Sequence, residues 1–213
     1  MRSVLRGWCF CESSVSNLIK GSNFVLDLGK FDEESMTDWW AVHEACIANR
    51  DPPLTPSEFR PELATKSFTS KNADEEMVNG LFEDEFNKRM GGVTDLDYSE
   101  LKWTDKEAVA VSKVLATGVL KKLEKLILVR NQIGDAGVTA LAEAAGKGTL
   151  PQLKVLGLRG NQLGDAGVMA LAEATGKGTL PQLQYLDLMG NSTISQQAQD
   201  ALTAALPDCK VFF

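Results

Sequence analysis

Asn131-Gln132-Ile133-Gly134-Asp135-Ala136-Gly137-Val138 returns 30 residues later as Asn161-Gln162-Leu163-Gly164-Asp165-Ala166-Gly167-Val168. The match continues through Ala140-Leu141-Ala142-Glu143-Ala144 and Ala170-Leu171-Ala172-Glu173-Ala174, then through 146–151 and 176–181. Ahead of each asparagine the leucines recur at the same spacing: Leu123, Leu126, Leu128; Leu153, Leu156, Leu158; Leu183, Leu186, Leu188. Self-similarity at such a period means stacked supersecondary units.

Each unit reads L-x-x-L-x-L-x-x-N, a short turn, then an amphipathic stretch. The L-x-L alternation has a period of two, so it predicts a strand with one apolar face. Val138, Leu141, Ala142 and Ala145 then fall at i, i+3, i+4 and i+7, one face of a helix. Asp135 and Asp165 are expected as N-caps of these helices, and Gly146 and Gly148 suit their C-terminal ends. Asn131, Asn161 and Asn191 hold one fixed place after the strands, where a buried amide can bond backbone groups that the turn leaves unpaired. No unit can bury its leucines alone; stacking makes one continuous core.

Geometry sets the expected shape. Parallel strands pack about 4.8 Å apart, whereas helices need roughly 10 Å each. The helical wall must be the longer one, so the stack curves with its strands on the concave side. These residues resemble the leucine-rich repeat family, in its helix-bearing, ribonuclease-inhibitor-like class. The resemblance implies an α/β horseshoe solenoid that recognises proteins, usually with the concave face.

Counting back one period maps Leu126 and Leu128 onto Leu96 and Tyr98, and Asp135 onto Asp105. Residues 94–123 are thus a degenerate first repeat, with Leu101 in place of the asparagine and Thr104 and Glu107 in place of the glycines. Repeats 124–153 and 154–183 follow, and 184–213 form the last. In that last unit 206–212 align with 180–186, which puts Cys209 in a core leucine position and makes the final strand begin at Val211. An unpaired apolar edge there is open to pairing with another chain.

Residues 1–92 form a separate acidic module of mainly helical α/β type. They hold 10 Lys and Arg against 16 Asp and Glu, whereas 93–213 hold 12 against 13. Gly91-Gly92 marks the boundary. Within the module, 8–19 and 33–48 are predicted helices and 24–28 a strand. Residues 54–69, with Pro56, Phe59, Pro61 and Phe68, lack a clear period. Asn72 with Glu75 suggests a capping box, opening a helix lined by Met77, Val78, Leu81, Phe82 and Phe86.

Trp8-Cys9-x-x-Glu12 resembles the W-C-x-x-E helix of TIR domains, which implies a glutamate serving in NAD cleavage. Two readings follow. In one, Trp8 packs in a small core and Glu12 is solvated or caps a helix. In the other, the chain is a fragment of a TIR-like NAD-cleaving signalling protein with the repeats as its sensor. His43, the single histidine, lies beside Trp39 and Trp40 with no nucleophile motif to serve. Cys9, Cys11, Cys46 and Cys209 show no paired metal-ligand spacing, so neither metal nor cofactor is expected. Gly146-Lys147-Gly148 and Gly176-Lys177-Gly178 end helices, whereas phosphate cradles begin them.

A net charge of −7 argues against nucleic acid as the main partner. No apolar run is long enough to span a membrane, and no signal-peptide region opens the chain, so a cytoplasmic setting is expected. The leading reading is a non-enzymatic interaction module that binds a protein partner. Side chains alternating with the buried leucines form rows across the strands: Asp95, Lys125, Val155, Tyr185; Asp97, Ile127, Gly157, Asp187; Ser99, Val129, Arg159, Met189. Tyr185 and Arg159 beside small apolar neighbours match hot-spot chemistry. The expected partner-binding set is Lys125, Ile127, Val129, Val155, Arg159, Tyr185, Asp187 and Met189.

Overall fold

The computed structural model describes residues 7–18, 24–26, 47–68, 71–191 and 194–213. In chain order the elements are α1 (Gly7–Leu18), β1 (Phe24–Leu26), β2 (Ile47–Asn49), α2 (Pro56–Leu63), α3 (Lys71–Met90), β3 (Asp95–Asp97), α4 (Asp105–Ala116), β4 (Lys125–Ile127), α5 (Asp135–Ala145), β5 (Val155–Gly157), α6 (Asp165–Gly176), β6 (Tyr185–Asp187), α7 (Gln196–Ala205) and β7 (Lys210–Phe212). β3 to β7 form one parallel sheet in sequence order. Its register steps through Leu96, Leu126, Leu156, Leu186 and Val211. α4 to α7 pack in succession along the opposite wall. The buried leucines of each strand, such as Leu126 and Leu128, meet helix residues such as Val138 and Leu141 in a continuous core.

The asparagines bind the stack along its length. Asn131 Oδ1 accepts from Leu101 N and Trp103 N, both at 3.0 Å, while its amide donates to Tyr98 O (2.8 Å) and Leu128 O (3.1 Å). Asn161 and Asn191 repeat the pattern, each reaching groups of its own repeat and the one before. Every such contact removes a buried, unpaired backbone group, so the ladder is structural.

The aspartates do something other than expected. The N-caps of α5 and α6 are Gly134 and Gly164, and Asp135 and Asp165 occupy the first helical position. Their carboxylates reach forward to the next helix in the stack. Asp105 Oδ1 accepts from Gly134 N (2.7 Å) and Gly137 N (2.9 Å), and Asp165 Oδ1 from Ser195 N (2.7 Å). Anions at a helix N-terminus complement the orphan N–H groups and the dipole, and here the anion comes from the preceding repeat. α4 has no such donor repeat before it. Thr104 and Glu107 cap it instead, with Glu107 Oε2 accepting from Thr104 N at 2.8 Å.

Toward the N-terminus, α1 packs against α2 and α3. Phe10, Phe59 and Phe82 stack, with ring centroids 5.0 and 3.8 Å apart. α2 falls where the sequence showed no period. Its signals are Pro56 in the first turn and a Thr55/Glu58 capping box. α3 buries Val78, Phe82, Phe86 and Met90, an i, i+4 stripe, but Met77 (58 % exposed) and Leu81 (47 %) face outward. Each lies one residue behind the stripe, so 3.6 residues per turn rotate it off the buried face. α3 is described from Lys71, so Asn72 lies within the helix.

Ile47 and Ala48, expected at the end of a helix, belong to β2, which pairs antiparallel with β1. The remainder of that expected helix, with Trp39, Trp40, His43 and Cys46, lies outside the described residues. α1 forms as predicted over its described length, yet Trp8 is 42 % exposed and Gly7, Cys11, Ser14 and Leu18 are the residues it buries.

Tyr98 and Trp103 join the two ends of this core. Tyr98 takes the slot that Leu128 fills one repeat on, and Trp103 the slot of Ile133. Their rings lie 4.8 Å apart, and the indole N–H of Trp103 donates to Arg50 O at 2.8 Å. Arg50, itself buried, lays its guanidinium over the Tyr98 ring at 4.8 Å and donates to Asn17 O at 2.8 Å. Burial pushes the Tyr98 phenol up to about 12.

At the other end the alignment of the last strand shifts by one residue. Lys210 pairs with Tyr185 and Val211 with Leu186. The turn still closes at Cys209, whose N–H donates to Leu206 O as Leu183 donates to Leu180. The segment after it is one residue shorter than in the other repeats. Cys209 is half-buried against the core, and β7 begins at Lys210.

Candidate interaction face

On β3 to β6 the central residue is buried and the residues flanking it are exposed or half-buried, except Gly157, which is buried; on β7 the central Val211 is half-buried. The three expected rows exist. Asp95, Lys125, Val155 and Tyr185 are successive neighbours, as are Asp97, Ile127, Gly157 and Asp187. Val129, Arg159 and Met189 adjoin through Arg130 N to Arg159 O and Gly160 N to Met189 O, both 2.8 Å. All eight expected contact residues, Lys125, Ile127, Val129, Val155, Arg159, Tyr185, Asp187 and Met189, therefore lie in these rows.

The register shift adds two residues that sequence reasoning missed. Lys210 extends the Tyr185 row, and Phe212 (44 % exposed) extends the Asp187 row. The missed signal was the length between Cys209 and Phe212, one residue too short for the leucine pattern.

Local chemistry shapes the surface. Gly157 leaves room in its row: a Cβ there would meet Ile127 Cδ1 at 3.2 Å and Val129 Cγ2 at 3.4 Å. Tyr185 is 41 % exposed, with Lys210 Nζ 5.6 Å from its ring centre, and Met189 is similarly open. Asp187 Oδ1 accepts from Met189 N at 3.0 Å, tying the acid to its own backbone. At the β3–β4 end Lys125 pairs with Asp95 at 2.7 Å. The bonds from Lys125 and Thr94 hold the Asp95 carboxyl below the usual range, and Asp95 in turn raises Lys125.

Glu12 stands exposed on α1. It is not among the side chains lining the groove of about 820 Å³ between α1, α2 and α4, which Phe10, Ser13, Leu54, Val109 and Lys113 help to form. Three lysines line that groove: Lys113 pairs with Glu58 at 2.6 Å and Lys66 with Glu62 at 3.6 Å, and the third is Lys106. Among the described residues no group of His, Cys, Asp and Glu is arranged to hold a metal ion. Nor is any described helix long and apolar enough to cross a membrane.

A family model described as Leucine Rich repeat matches residues 119–142 and 150–172. Those two segments are leucine-rich repeats. The chain resembles a solved structure, leiomodin-1 actin-binding site 2, with a TM-score of 0.51 and 14 % identity, over 62 % of this chain and 78 % of that one. At that identity the likeness is one of fold. No curated protein sequence matches the chain. The leucine-rich repeats thus present a short α/β solenoid, and proteins of this architecture offer an open parallel-strand wall for recognition.

Proposed function

We propose that the chain is a non-enzymatic scaffold whose concave repeat face binds a protein partner through Lys125, Ile127, Val129, Val155, Arg159, Tyr185, Asp187 and Met189. The observation that carries this reading is the exposure of Tyr185 and Met189 beside Arg159 on the strand wall. Large, rigid or flexible apolar side chains next to an arginine are the residue types that dominate binding energy at interfaces. The leiomodin segment of the same fold is, by its name, an actin-binding site, which supports protein recognition as a use of such a wall.

The test compares surfaces. Wild-type protein, Tyr185→Ala and Arg159→Ala are used to capture partners from the source cell, with Thr139→Ala and Met169→Ala on the helical wall as controls. The concave changes should weaken capture of a shared partner at least about tenfold, or about 1.4 kcal/mol, and the helical-wall changes should not. The opposite pattern would place the partner on the convex side and refute the assignment.

A further inference from the structure

The charges along the concave wall change character from one end to the other. Toward β3 and β4 three cations have carboxylates: Lys125 with Asp95 at 2.7 Å, Lys154 with Glu124 at 2.8 Å and Arg130 with Glu100 at 2.9 Å. Toward β6 and β7 the pattern stops. Among the described residues no carboxylate lies within 4.0 Å of Arg159 or Lys210. Asp187, the one acid of the rows there, is bonded to Met189 N. The same end carries the exposed side chains of Tyr185, Met189 and Phe212. An apolar patch flanked by two cations without counter-charges is thus set into a chain of net charge −7.

We infer that the segment this end of the wall holds is an acidic, amphipathic stretch of a partner protein. Its apolar anchor sits on Tyr185, Met189 and Phe212, and its carboxylates meet Arg159 and Lys210. The inference rests on the concave-face reading above and adds the chemistry of the partner. Arg159 offers a planar fork suited to a carboxylate, and Lys210 already lies over the Tyr185 ring, so both cations border the anchor site. Other polyanions fit less well. Nucleic-acid binding draws on roughly 6–10 phosphate contacts, and an anionic membrane gains only about 1 kcal/mol per basic residue. Two cations on an acidic protein supply neither, but they suffice to orient and select a short acidic peptide.

The experiment selects a displayed library of random linear peptides on the wild-type chain and measures the recovered peptides by fluorescence anisotropy. Recovered sequences should join Asp or Glu to Leu, Ile, Phe or Trp, and their binding should weaken as salt rises. Replacing their acids with Lys should cost at least about tenfold. The Arg159→Glu/Lys210→Glu double variant should lose the acidic peptide and gain the Lys version, with an unchanged urea midpoint. Neutral or basic peptides that depend on Tyr185 and Phe212 would overturn the acidic assignment and leave the concave-face reading standing. Peptides indifferent to Tyr185→Ala and lost on Met169→Ala would overturn both. A selection that enriches nothing would sink the inference. So would binding to phosphatidylserine vesicles that the double variant abolishes.

Discussion

Asp135 Oδ1 accepts hydrogen bonds from both Gly164 N (2.7 Å) and Gly167 N (2.9 Å), one full repeat further along the stack. A single carboxylate oxygen thereby satisfies two orphan donors at the start of α6 and ties it to α5. Loss of a helix cap by an Ala substitution costs about 0.5–2 kcal/mol. Asp135→Ala should fall in that range by urea denaturation, and the loss should appear as faster amide exchange at the start of α6, not of α5. Protection lost only within α5 would mean the carboxylate acts on its own helix after all.

This kind of contact explains Gly137 and Gly167, which helix propensity disfavours. A Cβ on Gly137 would stand 2.7 Å from Asp105 Oδ1, 2.8 Å from Ile133 Cγ2 and 2.9 Å from Ala108 Cβ. Gly80, in the middle of α3, would meet nothing within 4 Å. Gly→Ala in an open helix stabilises by about 0.5–1 kcal/mol, whereas overpacking a closed site costs about 1–3 kcal/mol. Gly80→Ala should therefore raise the melting temperature and Gly137→Ala should lower it. A rise in both would show that α4 and α5 can move apart freely.

The contrast shows what a sequence can reveal here. The rows from Lys125 to Tyr185 and the ladder of Asn131, Asn161 and Asn191 were legible because the period of 30 fixes strand register and alternation fixes side. The aspartates were legible as caps but not as caps of the neighbouring helix. Capping rules are local, and Asp135 reaches its targets 29 and 32 residues away. α2 was hidden because Pro61 masks its period, although Thr55-Pro56-Ser57-Glu58 carries the start signal. Phe212 was missed because alignment by leucine position gave Val211 to the wrong partner. The TIR resemblance at Trp8-Cys9-x-x-Glu12 rested on residue types alone, and both Trp8 and Glu12 face outward.

The acid response follows from the bonds these carboxylates accept. The Ser195 backbone N–H, and then its hydroxyl, hold the Asp165 carboxyl below its ordinary range. Burial pushes Glu58 up, but the bonds from Lys113 and Thr55 outweigh it and leave that carboxyl lowered too. A folded pKa below the unfolded one means the contribution is present above the unfolded value, about 3.9 for Asp and 4.3 for Glu. It is lost as pH falls through the folded value. Asp165→Asn and Glu58→Gln should each lower the urea midpoint at neutral pH, with the gap to wild type closing as the solution is acidified below about pH 4. A gap constant across that range would separate the loss from ionisation.

Trp103 carries the last prediction, because it joins the first repeat to the residues before it. Its ring fills a core slot, and its indole N–H donates to Arg50 O at 2.8 Å. Trp103→Phe keeps an aromatic ring in the slot and removes the donor, leaving a buried carbonyl without that bond. A group left unsatisfied in this way costs about 1–3 kcal/mol. Smaller volume adds a cavity penalty of the same sign. The buried Arg50 depends on the same joint, stacked on Tyr98 and bonded to Asn17 O. Trp103→Phe should therefore expose the Arg50 region to limited proteolysis while α5 and α6 keep their amide protection. Equal loss of protection throughout α5 and α6 would show that the joint and the repeats unfold as one unit. An unchanged cleavage pattern with an unchanged urea midpoint would show that the indole bond contributes nothing to it.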